Sequence, residues 1–179
     1  MRNRKLLLIV LIIVQLAVPV YMIAKYEHIL NEGKSYFFKI APVDPYDPFR
    51  GKYLTIRVLE ESITVDNSKD YHSGELVYLE LDTSEKFAKI KNVYKFEPEG
   101  SKDYIKASVR YVSISKLYFK FTFDRYFMEE SKAPKAEKIY FDALRDTLKN
   151  SYIEVNSKDG DAIIKELYIS EKPIKEYFK

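Results

Sequence analysis

The chain has 179 residues, with 16 tyrosines, 11 phenylalanines and no cysteine, which excludes disulfides, thiolate nucleophiles and cysteine-based zinc sites. Its 30 basic residues exceed its 27 acidic residues by three, and Arg2, Arg4 and Lys5 account for that excess. The rest of the chain is therefore neutral, whereas nucleic-acid-binding proteins need a net basic surface, so we expect no nucleic-acid partner.

Residues 6–24 form an apolar segment without a charged residue. At about 1.5 Å per residue, a helix of this length spans roughly 29 Å, close to the hydrocarbon thickness of a bilayer. A cleaved signal peptide is the alternative, but its apolar region is usually about 7–15 residues long and ends in a small-x-small site, which this segment lacks. We therefore predict an uncleaved transmembrane signal anchor. By the positive-inside rule, residues 1–5 are a cytoplasmic basic head, and the remaining chain lies in the periplasm or outside the cell.

Gln15 is a polar residue within the apolar segment. Its amide is either tolerated within its own helix or hydrogen-bonded to a partner helix in the membrane. After the span, residues 25–34 are predicted to continue the helix and to end it at Gly33, which is a typical C-terminal cap. Residues 35–179 then form an extracytoplasmic domain.

Alternation of apolar and polar residues predicts strands along most of this domain. The predicted strands cover residues 35–40, 52–58, 75–81, 86–96, 104–115 and 117–123, with a bulge near Asn92, where the apolar period slips. Helical spacing predicts one amphipathic helix at residues 134–149, and a final hairpin turns at Asp159-Gly160. We count about eight strands in total. The predicted fold class is mainly β (α+β): a single N-terminal transmembrane helix followed by an antiparallel β-sandwich or small barrel with one amphipathic helix.

The run at residues 41–58, APVDPYDPFRGKYLTIRV, resembles the GDYXXLXY family of bacterial membrane-anchored proteins. Gly51 and Tyr53 match the motif that gives the family its name, whereas Lys52 stands where that motif has Asp, and Ile56 and Val58 stand for its Leu and Tyr. The similarity extends over nearly the whole chain. It implies an uncharacterised single-span protein at the inner (cytoplasmic) membrane, with its domain on the outer side and a multi-pass membrane protein as partner.

Asp44, Asp47 and Arg50 are the first candidate binding residues. The two carboxylates with the guanidinium have the chemistry to hold a ligand or a hard cation, but Asp-Pro pairs also build rigid turns without any ligand. Tyr53 and Tyr126 are expected to be exposed, where their rings can stack on a sugar or on a partner.

No catalytic signature is present. The two histidines, His28 and His72, have no ligand cluster near them, and no nucleophile elbow or glycine-rich phosphate loop occurs. We therefore predict no catalytic residue, no cofactor and no metal site. The favoured hypothesis is a non-catalytic interaction module for an integral membrane protein. The alternatives are a small-ligand or glycan-binding envelope domain and a hydrolase that uses Asp44 or Asp47.

Overall fold

A computed structural model describes residues 2–41, 53–100, 103–129, 131–145 and 151–178. Asp44, Asp47 and Arg50 lie outside these residues, so their predicted roles stay predictions. Within the described residues the chain is mainly β, with 44% of it in strands and 29% in helices, as the sequence predicts.

The N-terminal helix α1 is Arg2–Glu32, and Pro19 lies inside it. Residues 7–32 have a mean hydropathy of 2.7 in their most apolar window, and no residue of that window is buried. By length and composition this helix can cross a membrane, and a signal sequence would meet the same criteria. The helix ends before Gly33, as predicted, and the N–H of Gly33 donates to the carbonyl of Ile29 over 2.9 Å.

The strands that follow in chain order are β1 Lys34–Ala41, β2 Tyr53–Thr55, β3 Arg57–Val58, β4 Ser62–Thr64, β5 Leu76–Asp82, β6 Lys89–Tyr94, β7 Tyr104–Val112, β8 Lys116–Phe121, β9 Arg125–Phe127, β10 Tyr152–Lys158, β11 Asp161–Ile169 and β12 Lys172–Pro173. Short 3-10 helices are Ser68–Asp70 and Ile174–Phe178, and helix α2 is Ala133–Arg145. The prediction of about eight strands was too low for the described residues, because several of these strands are only two or three residues long.

All strand pairs that the structure describes are antiparallel. One sheet has the order β12-β11-β10-β1-β3, a second has the order β4-β8-β7-β5-β6, and β2 pairs with β9. The edge strands β4 and β6 of the second sheet approach each other, so that this sheet nearly closes on itself like a barrel. A continuous hydrophobic core lies between the sheets.

The alternating residues of the central strands face the core, as the sequence predicts. The buried sets in β5 and β7 are Val77, Leu79 and Leu81, and Ile105, Ala107 and Val109. In β8 and directly after it they are Leu117, Phe119, Phe121 and Phe123. Between residues 53 and 58 they are Leu54 in β2, Val58 in β3 and Ile56 between the two strands. The expected bulge is also present, since Glu80 pairs with Asn92 while Leu81 pairs with Ile90.

Three details differ from the sequence prediction. Tyr111 continues the alternation of Ile105, Ala107 and Val109 in the strand predicted at residues 104–115, but it is 48% exposed, because the register of β7 with β8 shifts between Val109 and Tyr111. The strand predicted at residues 52–58 is divided at Ile56, because Tyr53–Thr55 pair with β9 whereas Arg57–Val58 pair with β1. The strand predicted at residues 86–96 is shorter at both ends.

Helix α2 places Ala136 and Tyr140 in the core and packs against β2 and the C-terminal 3-10 helix. The predicted final hairpin is confirmed as β10 and β11. Asp159 and Gly160 join them with φ angles of 53° and 77°, the pair of positive angles that a type I′ turn requires.

Candidate functional site

Most of the site predicted from the sequence lies outside the described residues. β1 ends at Ala41, which pairs with Arg57, and β2 begins at Tyr53. Residues 42–52, which include Asp44, Asp47 and Arg50, therefore connect β1 of the first sheet to β2 of the β2–β9 pair. Of the predicted site residues, the structure describes Tyr53, Tyr126 and Gln15.

Tyr53 lies half-buried at the start of β2, opposite Phe127 of β9. Its ring centroid is 5.6 Å from that of Phe127 and 4.8 Å from the guanidinium carbon of Arg125. The arginine therefore stacks on the tyrosine as a cation–π pair. Phe127 is 66% exposed, so the start of β2 and the end of β9 present an aromatic and cationic surface. A binding role for Tyr53 remains a prediction.

Tyr126 is buried, contrary to the expectation that it is exposed; only 4% of it is accessible. It pairs with the buried Leu54 in the β2–β9 ladder, so the register turns both side chains toward the core. Its hydroxyl donates to Glu166 Oε1 over 2.6 Å, and Lys175 Nζ lies 2.8 Å from the other oxygen of Glu166. Burial, with the hydrogen bond to Glu166, raises the pKa of Tyr126.

Gln15 lies in the middle of the apolar part of α1, and its side chain is exposed. The contact with a partner helix that the sequence suggests remains a prediction.

The most elaborate polar arrangement in the described residues lies elsewhere, where the end of α1 meets the β10–β11 hairpin. We call the contact between residues 25–33 and this hairpin the junction. Ile29 is the anchor of the junction, since it is 4% exposed in a helix whose other described side chains remain accessible. The Nζ of Lys25 lies 2.7 Å from Asp161 Oδ2, directly after the hairpin turn.

The second ion pair of the junction, between Lys158 and Glu32, also contacts His28. Lys158 Nζ lies 2.6 Å from Glu32 and 2.7 Å from His28 Nε2, while His28 Nδ1 lies 3.1 Å from Glu32. An ammonium group can only donate, so Nε2 of His28 accepts from Lys158 and the ring proton sits on Nδ1, facing Glu32. Lys158 thus connects two successive turns of α1 to the hairpin.

Buried polar groups form an inner layer of the junction. Asn156 Nδ2 donates over 2.8 Å to the carbonyl of Leu30, one of the carbonyls that a helix end leaves unpaired. Ser35 Oγ lies 2.8 Å from Asn156 Oδ1 and 3.0 Å from Glu154 Oε1. Lys165 Nζ also donates to Glu154 Oε1 over 2.7 Å, and the hydroxyl of Tyr168 donates to Glu154 Oε2 over 3.1 Å. The helix end is therefore connected by hydrogen bonds to the centre of the first sheet.

These environments set the ionisation of the junction carboxylates. Burial opposes ionisation of Asp161, but the hydrogen bond from Lys25 and the charges of Lys106 and Lys25 outweigh it and lower the pKa of Asp161. In the same way, burial opposes ionisation of Glu154, while Lys165, Ser35 and Tyr168 stabilise its anion and lower its pKa.

The polar contacts of the junction join the end of α1 to the β10–β11 hairpin. In the described ranges, no group of three His, Asp or Glu side chains is placed to hold a metal ion. Every charged side chain named in the junction has a partner of opposite charge or a hydrogen bond. These contacts attach the end of α1 to the first sheet.

Sequence reasoning did not identify the junction residues. A signal was present, since Lys25, His28, Ile29 and Glu32 share one helix face directly after the apolar segment. That face needs a partner, but only the folded topology shows that the β10–β11 hairpin supplies it. The buried Asn156 has no sequence signal, because it is one polar residue in an alternating strand.

A sequence model of the GDYXXLXY family matches residues 15–167. The chain belongs to the GDYXXLXY family. The matched region includes the junction, residues 42–52 and nearly all of the β domain. Within the name-giving motif, Ile56 and Val58 are each 4% exposed, so apolar residues at these two GDYXXLXY positions are needed for the core. Neither the curated proteins nor the solved structures include a match.

Proposed function

We propose that this GDYXXLXY protein is a non-catalytic accessory protein of the cytoplasmic membrane, whose β domain docks a multi-pass membrane partner from the outer side. Residues 1–5 are then the cytoplasmic head, residues 6–24 the span, residues 25–34 its continuation and residues 35–179 the extracytoplasmic domain. The basic residues before the span support this orientation.

The observation that carries the proposal is the continuity of α1 from its apolar segment into the junction. No flexible linker separates the two, since α1 reaches Glu32 and β1 begins at Lys34. A domain that needed only tethering would function on a flexible linker. The buried Ile29, the ion pairs and the Asn156 hydrogen bond instead hold the domain in one orientation to the helix, as docking on a fixed membrane partner requires.

A stripe of exposed residues along α1, which we call the free stripe, supports a contact with a transmembrane helix of the partner. With 3.6 residues per turn, this stripe lies roughly 90° around the helix from the face that contacts the hairpin. It consists of exposed residues at helical spacing: Gln15, Pro19, Met22 and Tyr26. The side chain of Gln15 would be surrounded by hydrocarbon in a single span, and a polar group on a partner helix would satisfy its amide at a gain of about 1 kcal/mol.

Co-purification from a mild detergent tests the proposal. The full-length protein should recover a specific multi-pass membrane protein, and that protein, used in turn as bait, should recover this chain. Removal of residues 1–24 should abolish the recovery, and Gln15→Leu should weaken it, while Leu16→Ile is a matched control in the span. Equal recovery with and without the span, or failure of the reciprocal purification, would contradict the proposal.

A further inference from the structure

The second sheet has a basic surface on the side of β7 and β8 that points away from the core. Leu117, Phe119 and Phe121 of β8 are buried, so the residues that alternate with them point outward. The outward residues of this surface are Lys116, Tyr118 and Lys120 in β8, with Arg110 and Tyr111 in β7. We call these five residues, together with the exposed Arg57 beside them, the basic face.

A β-bulge brings two consecutive residues of β7 to the basic face. Val109 pairs with Phe119 and Tyr111 pairs with Tyr118, so Arg110 is the extra residue of the bulge. In a regular strand the side chain of Tyr111 would point to the core, because successive side chains alternate. Instead its ring stacks on that of Tyr118 at the surface, with the ring centroids 4.2 Å apart and the planes 17° apart. The bulge thus places an aromatic pair next to a guanidinium group.

A nearly buried carboxylate holds two guanidinium groups at the basic face. Glu61 is 9% exposed, and Arg57 Nη2 donates to one of its oxygens while Arg110 Nη1 lies 3.5 Å from the other. Both arginine side chains are about half exposed. A guanidinium group has five N–H donors, so each arginine retains donors for a further acceptor. One negative charge therefore positions two positive charges at the surface.

The positive charge of the basic face is not balanced within the described residues. Neither Lys116 nor Lys120 forms an ion pair with a carboxylate of those residues, whereas Lys25 and Lys158 at the junction do. The neighbouring outward residues of the sheet are uncharged, namely Ser62 and Thr64 in β4, Ser108 in β7 and Leu76 in β5. Two arginines and two lysines thus share the single carboxylate of Glu61, although the chain after its first five residues is neutral overall. Such a surface is complementary to a negatively charged partner.

The spacing of the basic face favours an extended peptide as the partner segment. Lys116 and Lys120 are four residues apart on one strand, which corresponds to about 14 Å. An extended chain has the same rise and presents every second side chain on one side, so its carboxylates can match the cations of the face. Tyrosine and arginine are enriched where proteins bind proteins. A stacked tyrosine and a carboxylate-held arginine also lose little conformational freedom on binding.

We propose that the basic face binds an acidic, extended segment of the partner protein, in a part of that protein outside the membrane. The inference rests on the proposed function, because it names the chemistry by which the same partner is recognised. The two arginines donate to carboxylates of the segment, the two lysines pair with others, and an apolar side chain of the segment packs on the stacked tyrosines.

Titration of the full-length protein in phosphatidylcholine nanodiscs, followed by NMR, tests the face directly. The probe is N-acetyl-hexaglutamate amide, and its neutral isostere N-acetyl-hexaglutamine amide is the control. The glutamate peptide should produce saturable shifts at residues 57 and 110–120, and the glutamine peptide should not. Equal shifts with both peptides, or none with either, would overturn the proposal. Shifts at the same residues in nanodiscs that contain phosphatidylglycerol, without peptide, would assign the face to anionic lipid and would also overturn it.

Two pairs of lysine substitutions separate recognition from net charge. Lys116→Gln/Lys120→Gln should raise the Kd of the glutamate peptide about fivefold, because it removes two cations from the face. Lys135→Gln/Lys138→Gln removes the same charge from exposed positions of α2 and should leave the Kd unchanged. None of the four lysines forms an ion pair with a described residue, so both variants should melt at the temperature of the unmodified protein. Equal effects of the two variants on the Kd would refute a specific face.

Arg110→Lys tests the role of the guanidinium group. The variant keeps the charge but cannot donate two parallel hydrogen bonds to one carboxylate, so the Kd of the glutamate peptide should rise about threefold. An unchanged Kd would contradict carboxylate recognition by this arginine.

Photocrosslinking in cells locates the bound segment on the partner. A benzoylphenylalanine in place of Tyr111 should react with the multi-pass protein recovered by co-purification, within an extramembrane segment rich in Asp and Glu. The same group in place of Phe96, which is 82% exposed outside the basic face, should not react with that segment. An adduct in a neutral or basic segment would overturn the proposal.

The outcomes distinguish this inference from the proposed function. Absence of a co-purifying partner, with intact binding of the glutamate peptide, would contradict the proposed function. An unchanged partner yield with Lys116→Gln/Lys120→Gln would contradict the assignment of the basic face alone.

Discussion

Replacement of Ile29 by alanine tests whether the junction holds the end of α1 against the sheet. Ile29 is 4% exposed and lies in the part of α1 that packs on β10 and β11. Truncation of a buried isoleucine to alanine costs about 2–5 kcal/mol, and a site at the edge of a domain belongs at the lower end of that range. Alanine regains a few tenths of a kcal/mol through its higher helix propensity, so we expect a net loss of about 2 kcal/mol.

Amide hydrogen exchange of the full-length protein in micelles measures this loss where it occurs. The N–H of Gly33 donates to the carbonyl of Ile29, so its exchange reports opening of the junction. A loss of about 2 kcal/mol corresponds to exchange about 30-fold faster in Ile29→Ala. Leu30→Ala is the matched control, because Leu30 is its neighbour and is 38% exposed, and we expect less than a twofold change there. Equal acceleration in the two variants would refute a packed junction.

Three further predictions concern the same fold. Gly33→Ala should lower the melting temperature more than Gly74→Ala, because a Cβ on Gly33 would lie 2.3 Å from the carbonyl oxygen of Ile29, whereas a Cβ on Gly74 meets nothing within 4 Å and costs only about 1 kcal/mol for its φ of 86°; the opposite order would show that the helix end can rearrange. The pKa values of Asp161 and Glu154 are lowered in the folded protein, so their contribution to stability is present above the ordinary carboxylate pKa of about 4 and is lost as the pH falls through the lower folded values. Urea unfolding between pH 7 and pH 2 checks this sign, and Asp161→Asn should flatten the curve, whereas an unchanged curve would mean that the ion pair with Lys25 is not formed. Tyr126→Phe should cost about 1–2 kcal/mol in urea unfolding, because it removes a buried hydrogen bond to Glu166, and a neutral effect would place Tyr126 at the surface after all.

The strands of this chain could be predicted from the sequence where one face of a strand is buried and the other is not. Leu117, Phe119, Phe121 and Phe123 show this most clearly, because every second residue enters the core and the period of two follows directly. The type I′ turn at Asp159-Gly160 was equally predictable, since its positive φ angles restrict the residues that can occupy it.

The errors arose where tertiary contacts override local pattern. Tyr111 follows the alternating pattern, but a register shift against β8 turns it outward. Tyr126 is a polar aromatic residue in a charged context, and only its pairing with Leu54 shows that it is buried.

The candidate site residues also differ in how far the sequence could predict them. The carboxylates and guanidinium of residues 44–50 are conspicuous in sequence, and their roles remain predictions. The junction depends on a contact between residues more than 120 positions apart, Asn156 and Leu30, and no local pattern contains that information.

Site-specific photocrosslinking from α1 in living cells tests the central claim most directly. A benzoylphenylalanine in place of Tyr26, which is 49% exposed on the free stripe of the helix, should form an adduct with one multi-pass membrane protein. The same group in place of the buried Ile29 should react only within its own chain. Adducts with lipid alone from position 26, and likewise from Gln15 and Met22, would contradict the account.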